Sequence, residues 1–233
     1  MILTDSQPMN VTWVPSFPTG HEAGSYITID MGGTNLRICN VELAEHEAKY
    51  NITQDKYKLP DELRRGTSDE LWELIAEKLL DFLAKHNLPA KRTTLPLAST
   101  FSFPVTREHI RHGELQTWTK GFAIQGVERK DVVSQLEMVL KKKNVPVRIV
   151  ALVNDTVGTL IATAYKNPDV RVGSIFGTGC NAAYMERCAQ IPKIADESKK
   201  FHRGSIVSIN CKYGAFDIRR VRQQPSGSSA DEI

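Results

Sequence analysis

Strand-forming and helix-forming runs alternate along this chain, and that alternation restricts the fold more than any other feature. Ser25-Tyr26-Ile27-Thr28-Ile29 reads as a strand, breaks at Gly32-Gly33, and resumes at Leu36–Val41, where apolar and polar residues alternate. Two strands joined by a glycine turn make a hairpin. A third strand is predicted within residues 48–58. Thr67 with Glu70 forms a capping box that opens an amphipathic helix. Its Leu71, Trp72, Ile75, Leu79, Phe82 and Leu83 recur at spacings of three and four, and Asn87 and Pro89 close it. Residues 94–103 return to strand. A polar connection, 104–130, follows; it is longer than a turn needs, and such loops often carry function. Asp131 is predicted to cap a second helix bearing Val132, Val133, Leu136, Val139 and Leu140. Lys141, Lys142 and Lys143 fall at its C-terminal end, where the helix dipole favours cations; the other reading of that run is a phosphate or nucleic-acid patch. Val147–Val153 reads as a buried strand, and Thr156–Tyr165 as a short helix capped by Asp155. Val170–Phe176 and Ser205–Cys211 read as strands, with Asn181–Met185 ambiguous between helix and strand.

The order β-β-β-α-β-α-β-α followed by further strands defines an α/β fold. The pattern starts twice, at Tyr26 and at Val172, each time with a strand running into a glycine-containing turn. Residues 1–24 are rich in Pro and Gly, lack periodicity and read as an arm. Composition is that of an ordinary globular chain, 41% hydrophobic and 24% charged. A net charge of +3, scattered along the chain, argues for neither nucleic acid nor an anionic membrane. The longest apolar run, Ile149–Val153, falls far short of the roughly 20 residues of a membrane helix. Asp5 comes early with no basic start, so no secretory signal is expected. Cys39, Cys180, Cys188 and Cys211 form no CxxC pair, which points to a reduced, cytoplasmic protein.

Three short stretches carry possible chemistry. Asp30-Met31-Gly32-Gly33-Thr34-Asn35 is a glycine turn at which backbone N–H groups can approach an anion without a Cβ in the way. Asp30 at its entrance can hold a magnesium ion through water, and Thr34 and Asn35 add side-chain donors. The same residues also fit a plain tight hairpin. Gly177-Thr178-Gly179-Cys180-Asn181-Ala182 follows a strand and formally fits GxGxxA, a dinucleotide fingerprint that should open a helix and meet an acidic residue roughly 20 positions later. Asp196 and Glu197 come too early for that, so a nicotinamide-dependent oxidoreductase is a weak reading. Val153-Asn154-Asp155-Thr156 places a carboxylate at a strand end, where it serves as an N-cap or, if a substrate hydroxyl is in reach, as a general base. His109 and His112, three positions apart and flanked by Glu108 and Glu114, are not read as a metal site.

Read together, these stretches resemble the eukaryotic hexokinase family, and the fungal glucokinases and hexokinases most of all. Asp30–Arg37 (DMGGTNLR) is similar to the first phosphate loop of that family. Ser102-Phe103-Pro104 resembles its sugar-binding FSFP turn, and Trp118-Thr119-Lys120-Gly121-Phe122 its second sugar-binding stretch. Asn154-Asp155-Thr156 resembles the catalytic NDT. Ile175–Tyr184 (IFGTGCNAAY) resembles the second phosphate loop with its sugar-binding Asn. The resemblance runs from about Val11 to Asp217. It implies an actin-like ATPase (ribonuclease H-like) fold, with a complete small domain over 25–154 and the first strands of a large domain over 155–217. It also implies ATP-dependent phosphorylation of the 6-hydroxyl of glucose or a similar hexose. Asp155 would be the general base. Ser102, Phe103, Pro104, Thr119, Lys120, Asn154 and Asn181 would bind the sugar. Asp30, Gly32, Gly33, Thr34, Asn35, Arg37, Gly177, Thr178 and Gly179 would hold the ATP phosphates, with Mg²⁺ on Asp30 through water.

The chain also departs from the family pattern. Family members run to about twice this length, so the resemblance implies a C-terminally truncated chain. Lys212 stands where the family carries a Glu that accepts hydrogen bonds from two sugar hydroxyls, and an ammonium can only donate. Losing charged hydrogen bonds of about 1.5–3 kcal/mol each weakens hexose binding about ten- to several-hundredfold. Ala98-Ser99 replaces the usual Gly-Phe before Thr100. Residues 218–233 resemble nothing in the family and read as a polar, disordered tail. Three strands of the second start would lack the helices that cover them, leaving sheet edges and an apolar face exposed. The alternative function left open is a non-catalytic sugar-binding or regulatory fragment.

Overall fold

Local capping chemistry starts the helices that cover the first sheet. The computed structural model of the chain describes residues 9–44, 49–88, 94–176, 180–194 and 204–211. Helix α1, Ser68–Lys85, begins where the Thr67 hydroxyl accepts from the Glu70 N–H and the Glu70 carboxylate accepts from the Thr67 N–H, so two orphan donors are satisfied reciprocally. Helix α2, Val132–Lys142, begins at Asp131, whose carboxylate accepts from the Val133 and Ser134 N–H groups. The apolar stripe of α1 (Leu71, Trp72, Ile75, Leu79, Phe82 and Leu83) is buried, as its spacing predicts. The Trp72 indole N–H donates to Gln135 Oε1 at 3.0 Å and fixes α1 against α2. Lys142 pairs with Glu73 at 3.2 Å and Lys143 with Glu77 at 3.0 Å. The lysine run therefore ties one helix end to its neighbour.

Both helices belong to a five-stranded sheet. Its strands are β2 (Gly24–Met31), β3 (Asn35–Leu43), β4 (Tyr50–Lys58), β5 (Leu95–Phe101) and β8 (Val147–Val153), in the order β4-β3-β2-β5-β8. β2, β3 and β4 form an antiparallel meander, whereas β5 lies parallel to β2, and β8 parallel to β5. Inward residues Ile27, Ile29, Met31, Leu36, Ile38 and Leu97 are at most 1% exposed and meet the helix stripe in one continuous core. Full burial of such side chains contributes about 1.5–3 kcal/mol each. Within the 104–130 connection, β6 (Val105–Thr106) and β7 (Glu114–Leu115) pair as a short antiparallel hairpin, so that segment is folded rather than loose.

A second sheet takes β1 (Asn10–Val11), β9 (Val172–Phe176), β10 (Cys180–Arg187) and β11 (Ile206–Asn210) in the order β1-β11-β10-β9. The arm is thus part of the fold: Asn10 and Val11 pair with Asn210 and Ile209, and Thr12 Oγ1 donates to the Ser208 carbonyl at 2.9 Å. Asn181–Met185 is strand, because β10 is paired on both edges. A dinucleotide fingerprint needs a helix there, so that reading fails. Helix α3, Asp155–Lys166, packs on β9 and β10 and buries Val157, Leu160 and Ala183 between them. One face of the second sheet is therefore covered, contrary to the expectation of a bare sheet. Gly173 makes this possible, since a Cβ there would lie 2.7 Å from the Leu160 backbone. Val172 and Phe176 remain 58% and 79% exposed on the outer strand β9. Among the described residues no helix is long and apolar enough to cross a membrane.

Candidate active site

Asp155 stands at the junction between the two sheets. β8 ends at Val153 and α3 starts at once, so a one-residue hinge aims the first helical side chain out of the strand end. The cap of α3 is Asn154, not Asp155. Asn154 has extended backbone (φ −90°, ψ 153°), is 5% exposed, and its Oδ1 accepts from the Thr156 N–H at 3.0 Å. Both residue types cap well; the pairing of β8 sets which comes first. The consequence is chemical. Asn154 commits its carbonyl oxygen to the helix and keeps its NH₂ to donate. Asp155 Oδ1 accepts from the Thr156 N–H at 2.8 Å and from the Thr156 hydroxyl at 3.2 Å, and among the described residues its other oxygen accepts no hydrogen bond. The helix N-terminus stabilises the carboxylate charge.

The Asp30–Asn35 turn closes as a hairpin: the Gly32 N–H donates to the Asn35 carbonyl at 3.1 Å. Asp30 and Arg37 sit directly opposite on β2 and β3, with Arg37 Nη1 3.5 Å from Asp30 Oδ2. Both are about half exposed, so the pair adds at most about 1 kcal/mol. Burial pushes the Asp30 carboxyl above its ordinary value; Arg37 pulls it down, Asp155 pushes it up, and Lys120 pulls it down. Asp155 and Lys120, from two other motifs, are thus both within electrostatic reach of Asp30. Thr34 is exposed and its carbonyl accepts from the Leu59 N–H at 3.0 Å, while Asn35 is half-buried. A Cβ on Gly33 would contact Lys120 Cδ at 3.5 Å, so the turn passes close against that side chain.

The FSFP and WTKGF stretches share one aromatic cluster. Phe103 meets Trp118 edge-on at 4.8 Å and Phe122 edge-on at 5.4 Å, and Trp118 stacks on Phe122 at 5.5 Å. The Trp118 indole N–H donates to the Ile124 carbonyl at 2.9 Å. Phe103 is 1% exposed and acts as the structural plug of its turn. Ser102 and Pro104 are half-buried beside it, and Thr119 and Lys120 are exposed on the facing turn. Lys120 Nζ lies 5.3 Å from the Phe103 ring centroid. Lys120 and Gly121 both adopt left-handed backbone, φ 58° and φ 78°.

Asn181 Nδ2 donates to Asn210 Oδ1 at 2.8 Å, which orients its amide across β10 and β11. Phe103, Asn154 and Asn210 line one water-sized cavity, together with Arg107. Gly177, Thr178, Gly179 and Lys212 lie outside the described residues. Two arginines had no signal in the sequence. Burial lowers the Arg107 guanidinium to about 10, and its Nη1 donates to the Leu152 carbonyl at 2.5 Å, just before Asn154. Arg64 donates through Nη2 to the Gly33 carbonyl at 2.7 Å and through Nη1 to the Lys120 carbonyl at 3.0 Å. Among the described residues no cluster of three or more His, Cys, Asp or Glu forms a metal site, His109 and His112 included.

The architecture is the actin-like ATPase fold of sugar kinases. An inorganic polyphosphate/ATP-glucomannokinase from Arthrobacter sp. shares it with a TM-score of 0.52 at 21% identity. The hexokinase family model matches residues 3–165, and a second hexokinase model matches 171–232. The second match extends past Asp217, so family likeness continues into the segment that the sequence reading set apart. A hexokinase of Emericella nidulans is 50% identical over 214 residues, 92% of this chain and 43% of that protein. Hexokinase-1 of Saccharomyces cerevisiae is 46% identical over 211 residues, 90% of this chain and 44% of that one. The solved hexokinase of Schistosoma mansoni complexed with glucose superposes with a TM-score of 0.81 at 36% identity, covering 90% of this chain and 46% of that one. This chain belongs to the hexokinase family. It spans less than half the length of the curated relatives that it matches.

Proposed function

We propose that the chain carries the base and acceptor side of a hexokinase-type phosphotransferase, acting on the 6-hydroxyl of glucose or a similar hexose with ATP as donor. The observation that carries this reading is that side chains from separate motifs come together: Lys120 Nζ lies 5.3 Å from the Phe103 ring centroid, a Cβ on Gly33 would lie 3.5 Å from Lys120 Cδ, and Asp155 and Lys120 are both within electrostatic reach of Asp30. The uncommitted oxygen of Asp155 takes the hydroxyl proton as the sugar oxygen attacks the terminal phosphorus and ADP leaves. Lys120, Thr119, Ser102 and the donor groups of Asn154 and Asn181 hold the other hydroxyls. A pocket of several polar groups rejects a wrong sugar by leaving them unpaired. The Gly32-Gly33 turn, Thr34, Asn35 and Arg37 bind the donor phosphates in this reading, as do Gly177, Thr178 and Gly179. Positioning and charge neutralisation carry most of phosphoryl transfer.

Asp30 fits a magnesium ion held through water. It is a hard oxygen donor at a strand end with a second carboxylate within electrostatic reach, and Mg²⁺ keeps several waters and takes one or two carboxylates plus substrate phosphates. When bound, Mg²⁺ neutralises charge on the phosphate oxygens. Residues 25–154 form the small domain and 155–217 the start of the large one in this reading. Cytoplasmic residence is supported by four free thiols, Cys39, Cys180, Cys188 and Cys211. The purified chain with glucose, Mg-ATP and a coupled readout for hexose 6-phosphate tests the proposal. Turnover that is lost in Asp155→Ala supports it. Lys212, in place of the family Glu, favours a second reading, a sugar-binding fragment without turnover, which predicts heat stabilisation by glucose alone.

A further inference from the structure

Arg64 lies within the single turn Glu62–Arg65 that follows β4, and its guanidinium lies between two of the motif turns. Nη2 donates to the Gly33 carbonyl at 2.7 Å, and Nη1 to the Lys120 carbonyl at 3.0 Å. The guanidinium carbon lies 5.0 Å from the Phe122 ring centroid, and Arg64's own carbonyl accepts from the Ala123 N–H at 2.7 Å. Asp61 Oδ1 stands 3.5 Å from Nε and steadies the stem. One planar fork therefore grips the glycine turn of the β2–β3 hairpin with one arm and the WTKGF turn with the other. The second grip falls on strained backbone. Lys120 is a non-glycine residue at φ 58°, and such conformations persist only where their surroundings hold them. A Cβ on Gly33 would lie 3.5 Å from Lys120 Cδ, so the two turns run close together beside the clamp.

We propose that Arg64 is a positioning residue that locks the Gly33 turn to the Lys120 turn, so that the loop facing the donor and the loop facing the acceptor move as one body. A lysine cannot substitute, because its ammonium is a point donor rather than a fork with fixed geometry. The mechanical claim stands on the contacts above. Its consequence for ligands rests on the hexokinase reading: nucleotide and hexose each bind more tightly when the other is present, because either one fixes both turns.

Amide hydrogen exchange on the unliganded chain tests the clamp. The reporters are the Gly32 and Leu59 N–H groups, bonded to the Asn35 and Thr34 carbonyls in the first turn, and the Phe122 N–H, bonded to the Thr119 carbonyl in the second. Arg64→Gln is expected to speed exchange about ten- to hundredfold in both turns, while α1 and β5 keep wild-type protection. Arg64→Lys folds under milder loss and is expected to free at least one turn in the same way. Unchanged exchange in both turns overturns the clamp, and so does an acceleration spread evenly through α1 and β5. Thermal shifts with glucose and ATP then test the consequence. The wild-type shift with both ligands should exceed the sum of the separate shifts, and the excess should vanish in Arg64→Lys. If the wild-type chain shows no shift with either ligand, the hexokinase reading fails, and the exchange comparison still decides the clamp.

Discussion

Gly173→Ala isolates the contact that holds Asp155 in place. A Cβ at position 173 would lie 2.7 Å from the Leu160 Cα and N, and 2.8 Å from its Cβ, against ordinary contacts of 3.4 Å or more. The obstacle is largely helix backbone, which has no rotamer to change. β9 and α3 must therefore separate by about 0.7 Å, and the packing of Val157, Leu160 and Ala183 opens with them. Overpacking of this kind costs about 1–3 kcal/mol. That corresponds to about a 5- to 150-fold fall in the folded-to-unfolded ratio, and to a drop in melting temperature of about 2–12 °C for a domain of this size. The effect does not stop at stability. Asp155 opens the helix that is pushed, and a misplacement near 1 Å costs about a hundredfold where reacting groups must align. Urea unfolding of Gly173→Ala gives the first quantity, and glucose-dependent thermal shift or turnover gives the second. A midpoint equal to that of the wild type would refute the claim that this glycine is required by the close approach of α3.

Asp131 accepts from the Gly113, Val133 and Ser134 N–H groups; burial raises its carboxyl, and the Ser134, Gly113 and Val133 hydrogen bonds overcome that and hold it below 3.8. A lowered carboxyl stabilises the fold above the unfolded value and loses that contribution as pH falls through the folded one. The stability advantage of the wild type over Asp131→Ala, about 1 kcal/mol at neutral pH, should therefore shrink in urea titrations as pH falls from 5 to 3; a constant difference would contradict the cap. Leu79 is fully buried between α1 and the sheet, so Leu79→Ala should cost about 2–5 kcal/mol in the same titration. Lys212→Glu should tighten glucose binding about tenfold or more by calorimetry, and unchanged affinity would mean that the position does not face the sugar.

Much of the local structure was legible because its causes are local. The Thr67–Glu70 box, the Asp131 cap and the α1 stripe act within one or two turns of helix, and residue types at fixed spacing are enough to specify them. The glycine hairpin at Gly32-Gly33 and the strand–helix alternation were readable for the same reason. Asn154 and Asp155 show where that reading stops. Both can cap a helix, and only the length over which β8 pairs with β5 decides which of them does. The ambiguity of Asn181–Met185 was likewise resolved by partners on both sides of the strand.

The sequence by itself determined the periodic elements, their order and the residue types that chemistry at this site requires. Tertiary structure alone decided that Asn10 would pair with Asn210, that Phe103 would be buried as the plug of its turn, and that Arg64 would bridge Gly33 to Lys120. Those contacts join residues far apart in the chain, and no pattern within a few positions encodes them. They arise only when the sheets and helices have packed and a donor finds the carbonyl that the fold has brought beside it.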